Sequence, residues 1–231
     1  MFISKTTDGG SSWNETRELC YIGDICKIGE KVFAVYHSKL EKQPRLTKSV
    51  DEGITWEEFR IDKRSARPNA VAVDPHNTDH IYVGAYSLGD IQEEYIYKTT
   101  DGGETWTRLR IHRGKNIFIS KILFHPSGEK GKNRLFFSSQ FGVYESEDEG
   151  ISWRAVFKGS CNSFLISEND VFYVLKNKSV LASEDNGKTW HTIFETEKNQ
   201  AFHDFHLDDR NNILLIAGYL GLISIDLNSL K

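Results

Sequence analysis

Residues 49–56 read SVDEGITW and residues 99–106 read TTDGGETW. The same pattern, Ser/Thr-x-Asp-x-Gly-x-x-Trp, recurs as TTDGGSSW (6–13), SEDEGISW (146–153) and SEDNGKTW (183–190). Its aspartates, Asp8, Asp51, Asp101, Asp148 and Asp185, are spaced by 43, 50, 47 and 37 residues. All five tryptophans of the chain, Trp13, Trp56, Trp106, Trp153 and Trp190, stand at its last position. A motif that takes every Trp is a repeat that organises the whole chain. Physically it is a tied turn. The Asp carboxylate accepts from backbone N–H groups a few residues on. The Gly supplies positive φ, and the leading Ser or Thr adds a local hydrogen bond. The Trp opens the return strand and is expected to bury its ring.

Between the motifs lie further repeated runs. KVFAVYHS, HIYVGAYS, NRLFFSSQF and VFYVLKNK precede the turns, and DICKIG, NAVAVDP, IFISKILFHP and NSFLIS precede those. Short strands such as TWEEFRI, TWTRLRI and SWRAVFK follow each Trp. No segment sustains a helical period. One period therefore holds four antiparallel strands, the pattern of a β-propeller blade. Full sets are expected at about 19–59, 67–111, 116–157 and 161–194. The tail adds AFHDFHLD, NILLIAGY and GLISIDL, one strand short of a blade, and SSWNETREL at the N-terminus reads as the missing fourth strand. The expected fold is all-β: one propeller domain over 1–231, with five blades closed by N- and C-terminal strands, which removes two open sheet edges. FISKTT also reads as a third strand and duplicates GLISIDL. The last blade then carries an extra strand, or the chain is cut from a larger propeller.

The 231 residues are 39% hydrophobic and 27% charged, with a mean hydropathy of −0.47. That composition excludes a membrane-embedded protein and a disordered tail. A net charge of −4 gives no global pull toward nucleic acid or an anionic membrane. Cys20, Cys26 and Cys161 are odd in number, and Cys20 and Cys26 lie roughly 20 Å apart on one expected strand. They read as unpaired, inert thiols. The start, MFISKTTDGG, has neither a basic start nor an apolar core of a signal peptide. The apolar stretch 213–225 is shorter than the ~20 residues a bilayer needs and is broken by Gly218 and Gly221. The chain as written is expected to be cytoplasmic, or extracytoplasmic if it is a processed or truncated form.

The repeat resembles the Asp-box, or BNR, repeat of sialidase-like propellers. That family also includes xyloglucanase propellers, sortilin-type receptor domains and photosystem II assembly factors. The resemblance covers nearly all of the chain. It implies that the box residues are structural and peripheral. It also implies that ligands bind at the loops joining strand 4 to the next strand 1 and strand 2 to strand 3, and at the channel mouth.

Two strand 4 to strand 1 connections are rich in arginine. RIDKRSAR (60–67) holds Arg60, Lys63, Arg64 and Arg67 against Asp62, and RLRIHRGK (108–115) holds Arg108, Arg110, Arg113 and Lys115. Together they sum to +7, which leaves −11 elsewhere. Arginine suits bidentate binding of carboxylate, sulfate or phosphate. Lys63, Arg64, Arg67, Arg113 and Lys115 are therefore expected to form an anion-binding patch, with Arg108 and Arg110 weaker members on an outer strand. The inner strands carry Asp24, Lys27, Asn69, Ser120, Lys121, Asn162, Ser163, His203, Asp204 and His206. Asp24, Asn69, Ser120, Asn162 and His203 are expected at one register. Asn69, Lys121, Asn162 and His206 are further candidates for ligand contact. In HDFHLDD (203–209) the Asp204–Asp208 span is roughly 13 Å, too long for one metal ion to bridge.

These readings favour a binding or scaffold propeller that presents an anion-binding face to an acidic glycan or protein, as a monomer, with no cofactor, no metal, no nucleic acid and no membrane. The alternative is a glycoside hydrolase, sialidase-like or xyloglucanase-like. The sialidase resemblance implies three converging arginines and an Arg-Ile-Pro signature, which Phe59-Arg60-Ile61-Asp62 only grazes. General glycosidase chemistry needs two carboxyls about 5–9.5 Å apart. Asp24 and Asp204 are the candidates, as both start inner strands of adjacent blades in a closed ring. The short loops favour binding over catalysis.

Overall fold

The structure is a computed structural model that describes residues 2–88, 94–111, 117–126, 133–196, 202–219 and 221–230. Strands β1 (Phe2–Lys5) and β2 (Asn14–Glu18) form a two-stranded antiparallel sheet. Four antiparallel meanders of four strands follow. They are β3 (Ile22–Ile28), β4 (Lys31–His37), β5 (Pro44–Ser49) and β6 (Glu57–Arg60); β7 (Ala66–Val73), β8 (Ile81–Ser87), β9 (Glu94–Thr99) and β10 (Thr107–Arg110); β11 (Ile119–Pro126), β12 (Asn133–Ser139), β13 (Gly142–Ser146) and β14 (Arg154–Lys158); and β15 (Ser163–Ile166), β16 (Phe172–Leu175), β17 (Ser179–Ser183) and β18 (His191–Glu195). β19 (Phe202–Asp208), β20 (Ile213–Gly218) and β21 (Gly221–Asp226) make a three-stranded sheet, followed by a 3-10 turn at Leu227–Leu230.

The four expected strand sets are thus present as four meanders. SSWNETREL contains β2, whose partner is β1; FISKTT contains β1 and GLISIDL contains β21. Cys20 lies before β3, not within it, and all three cysteines are free. Among the described residues, no helix is long and apolar enough to cross a membrane.

The chain divides into two compact units, residues 1–124 with 129–131 and residues 125–128 with 132–231, so the division falls within the third meander. In each unit, burial follows strand position. The second strand of a meander is covered on both faces and reads as a continuous apolar run: β4 is buried from Val32 to His37 and β16 throughout. The fourth strand alternates, as in EEFR, where only Phe59 is buried. The core of unit 1 centres on Phe33, Leu46, Phe59, Val71, Ile81, Val83 and Tyr97. That of unit 2 centres on Leu175, Val180, Phe202, Leu214 and Ile216.

Each motif folds into the same tied turn. In the second, Ser49 Oγ donates to Asp51 Oδ1 at 2.7 Å and accepts from Gly53 N at 2.7 Å. Thr55 N donates to Asp51 Oδ1 at 2.8 Å and Thr55 Oγ1 to Oδ2 at 2.6 Å. Trp56 Nε1 donates to Gly53 O at 2.9 Å. The hydroxyl donor before the Trp (Ser12, Thr55, Thr105, Ser152, Thr189) is present in all five boxes. It was legible in the sequence and extends the motif. Two successive residues are left-handed: Glu52 at φ 57° and Gly53 at φ 90°. The first position tolerates Glu, Gly or Asn, whereas a Cβ on Gly53 would stand 3.3 Å from the Trp56 ring.

The indoles therefore close over their own turns and do not bury deeply. Trp13 is 61% exposed, a correction to the expected burial, and the other four are half-buried. Trp106 packs against the unit 1 core, and Trp153 meets Phe137 edge-on at 4.6 Å.

Hydroxyl and backbone donors hold the carboxyls of Asp8, Asp51 and Asp148 down at about 2, and lower those of Asp101 and Asp185 in the same way. Because these groups ionise more readily folded than at the ordinary 3.8, the turns are fully tied above about pH 4. They loosen as pH falls toward 2. A carboxyl-detected NMR titration should place the Asp148 midpoint near 2; a midpoint near 3.8 would contradict the tie. In chemical denaturation, Trp106→Ala is expected to cost about 2 kcal/mol and Trp13→Ala under about 1 kcal/mol, below the range for fully buried aromatics.

Candidate functional site

The two ends of each meander differ. At one end the motif turns meet the strand 1 to strand 2 turns: Glu52 N donates to Glu30 O at 2.9 Å and Gly102 N to Asp79 O at 3.1 Å. At the other, the strand 2 to strand 3 and strand 4 to strand 1 connections meet. Gln43 Nε2 donates to Lys63 O at 3.2 Å, Leu88 N to Ser65 O at 3.0 Å and Gly159 N to Phe141 O at 3.0 Å. The Arg-rich connection of residues 60–67 lies at this second end.

Within that connection the acid and the bases separate. Asp62 turns inward, where its Oδ1 accepts from Arg64 N at 3.1 Å and its Oδ2 from Tyr97 Oη at 2.9 Å. Burial, then the Asp62 charge, push the Tyr97 phenol well up, so it stays protonated and donates. Lys63, Arg64 and Arg67 are exposed, and none makes an ion pair among the described residues. Other arginines are neutralised: Arg134 and Arg154 flank the fully buried Glu145, Arg17 meets Glu58, and Arg45 meets Glu41. Arg60 is exposed on β6, and Arg108 lies over the Tyr95 ring at 4.4 Å. Arg110 ends β10, and Arg113 and Lys115 lie outside the described residues.

Around Arg67 the fold assembles aromatics that no motif marked. Its guanidinium stands 5.5 Å over the ring of Tyr21, which is 57% exposed and left-handed at φ 51°. Arg67 Nη1 is 3.5 Å from Tyr86 Oη, and the Tyr86 ring lies 5.8 Å from Phe118, itself 48% exposed. Beneath Tyr21, His37 packs edge-on at 6.2 Å and is buried, and neither ring nitrogen makes a well-formed hydrogen bond among the described residues. Burial pushes its imidazole down against a pull from the Lys42 main chain, and the charges of Arg67 and Lys42 push it further. Tyr21 and Phe118 immediately precede β3 and β11, Arg67 is near the start of β7, and His37 and Tyr86 are at the ends of β4 and β8, so only the tertiary structure joins them.

The inner strands carry bulges. Pairing shifts between Ile22 and Asp24, Pro68 and Ala70, and Phe202 and Asp204. Gly23, Asn69 and His203 are the bulged residues, and Asp24 stands one position after its bulge, as Ala70 and Asp204 do after theirs. The expected register therefore joins Asn69 and His203 but not Asp24. A Cβ on Gly23 would meet the Pro68 carbonyl oxygen at 2.0 Å, so this close approach of two inner strands requires glycine. Asp24 Oδ2 accepts from Val71 N at 2.9 Å and its Oδ1 from Ile25 N at 2.8 Å. In unit 2, Asp204 Oδ1 accepts from Ser163 Oγ at 2.6 Å and Phe205 N at 2.9 Å, and Asn162 Nδ2 donates to Phe202 O at 2.6 Å. The bulge leaves both His203 and Asp204 exposed. His203 meets Tyr219 at 4.2 Å, and His206 is exposed. Lys27 is exposed, and Ser120 and Lys121 are half-buried on β11.

Residues 97–108 match the BNR/Asp-box repeat family. Over 92 residues the chain is 29% identical to vacuolar protein sorting/targeting protein 10 of Aspergillus flavus, which is 39% of this chain and 6% of the relative. Among solved structures, YCF48 bound to D1 peptide aligns with a TM-score of 0.64 and 16% identity, over 90% of this chain and 65% of that one. The GH74 xyloglucanase from Xanthomonas campestris aligns with a TM-score of 0.72 and 14% identity, over 96% and 40%. The chain spans less than two thirds of the length of each of these proteins. At such identities the likeness is one of fold: all-β, of the propeller type, carrying Asp-box repeats.

The contacts of Asp24 and Asp204 bind neighbouring inner strands together. Asp24→Ala and Asp204→Ala are each expected to lower stability by about 1–3 kcal/mol, the cost of leaving buried donors unpaired. Chemical denaturation measures this, and a loss under about 0.5 kcal/mol would assign these carboxylates no structural part.

Proposed function

We propose that this Asp-box propeller chain is a binding or scaffold module that presents the cationic, aromatic face of unit 1 to an anionic partner, an acidic glycan or an acidic protein segment. The observation that carries this reading is the separation of charge in residues 60–67. Asp62 is held inward by Tyr97 and Arg64 N, while Lys63, Arg64 and Arg67 are exposed and make no ion pair among the described residues. Arg67, stacked on Tyr21 and beside Tyr86, is held in one orientation before any ligand arrives. That reduces the entropy lost on binding. Tyr21 and Phe118 add exposed ring faces on which a sugar or an extended peptide can pack. One structural neighbour is described as bound to a peptide and another as a xyloglucanase, so the fold serves both binding and hydrolysis. A hydrolase reading draws support from fold likeness alone, since both candidate carboxylates are engaged in inter-strand hydrogen bonds.

The combined substitution Lys63→Gln, Arg64→Gln and Arg67→Gln removes three charges and keeps most of the stem packing. On arrays of acidic peptides and acidic glycans it is expected to weaken binding by about tenfold or more, with the melting temperature unchanged. Wild-type binding should also fall as salt rises. Equal binding by the variant and the wild type, or no anion-dependent binding at all, would overturn the proposal.

A further inference from the structure

Unit 2 carries a cavity of ≈ 300 Å³ at the motif-turn end of its sheets, at the lower limit of small-ligand sites. It lies between the β15–β18 meander and the β19–β21 sheet. Val171, Ile193 and Leu227 give it apolar walls. Glu184, the residue before the box aspartate Asp185, and Asp209, in the turn after β19, place two carboxylates on it. Neither makes an ion pair among the described residues, and His191 is the one lining side chain able to carry positive charge. Asp209 Oδ1 is oriented by the Glu168 N–H at 3.2 Å.

Tyr173 also lines the cavity and is only 7% exposed. Its hydroxyl has no hydrogen-bond partner among the described residues. The ring is buried while its oxygen opens onto the cavity. Burial, then the charges of Asp209 and Glu184, push this phenol up.

We propose that this cavity binds a primary ammonium on a short aliphatic stem, the chemistry shared by a lysine side chain and a free alkylamine. An ammonium offers three donors and no acceptor. The cavity offers three acceptors in answer: the Glu184 carboxylate, the Asp209 carboxylate and the Tyr173 phenol oxygen. The apolar walls take the methylenes of the stem, as buried lysine stems do elsewhere. The same inventory disfavours a bare metal ion: among the described residues, no group of three His, Cys, Asp or Glu side chains is placed to hold one. The site does not depend on the cationic face of unit 1, so either proposal stands or falls alone.

The test uses the full chain in two-dimensional NMR and calorimetry. The probes are butylammonium chloride and Nα-acetyl-lysine amide, with butanol and the Nε-acetylated lysine amide as neutral controls. Both ammonium probes are expected to give saturable shifts at residues 167–173 and 209–212, and the neutral controls none at tenfold higher concentration. Glu184→Gln with Asp209→Asn should weaken binding by about tenfold or more, and Tyr173→Phe by a few-fold, with spectra otherwise like wild type. The lysine probe binding more tightly than butylammonium identifies a protein side chain as the source; equal affinity identifies a free amine. Neutral controls that bind equally, a double variant that binds like wild type, or no saturable shift with any probe would overturn the inference. The Lys63, Arg64 and Arg67 variant should leave this binding unchanged.

Discussion

The rest of this structure depends on the hydrogen bonds made by one carboxylate in each Asp-box. Asp51 and its four counterparts each accept from a preceding hydroxyl, a following backbone N–H and a second hydroxyl four residues on. These bonds hold two consecutive residues in left-handed backbone, a conformation that costs an ordinary residue about 1 kcal/mol or more. The turn so fixed aims strand 3 back along strand 4 and sets where each meander ends. Because the acceptor is an ionised carboxylate, its bonds are stronger than neutral ones, which is why an exposed turn stays ordered.

Fixing one end of the sheets leaves the other end variable. The motif-turn end is occupied by tied turns and their contacts with the strand 1 to strand 2 turns, so its chemistry is largely structural. At the opposite end the connections differ from meander to meander, and there the exposed cations of residues 60–67 gather with Tyr21, Tyr86 and Phe118. The cavity of unit 2 is the exception. It sits at the motif-turn end, where Glu184, Asp209 and Tyr173 line a gap left by two neighbouring sheets.

The inner strands show how close packing selects residues that look functional in isolation. Gly23 is there because another strand's carbonyl passes where a Cβ would be. Asp24 follows because the bulge leaves a neighbouring amide, Val71 N–H, in need of an acceptor. Asp204 answers Ser163 in a similar way. These two inner-strand carboxylates therefore satisfy donors of the neighbouring strand, a backbone N–H for Asp24 and a hydroxyl for Asp204.

Much of the fold was legible in the chain, because the repeat is local. The Ser/Thr, Asp, Gly and Trp of each box act within eight residues, and the continuous apolar runs of second strands report burial on both faces directly. The strand sets and the separation of the two sheet ends follow from that. Other features were not legible. A bulge moves a register by one residue and leaves no residue type that must mark it, so Asp24 aligned wrongly with Asn69. Likewise, no spacing in the sequence joins Tyr21, His37, Arg67, Tyr86 and Phe118, or Tyr173, Glu184 and Asp209. By itself the sequence determined which turns form and hence which architecture repeats, since short-range hydrogen bonds and side-chain periodicity suffice for that. Only the tertiary structure decided which charges stay unpaired and which rings and acids converge, because burial and pairing are properties of neighbours distant in the chain.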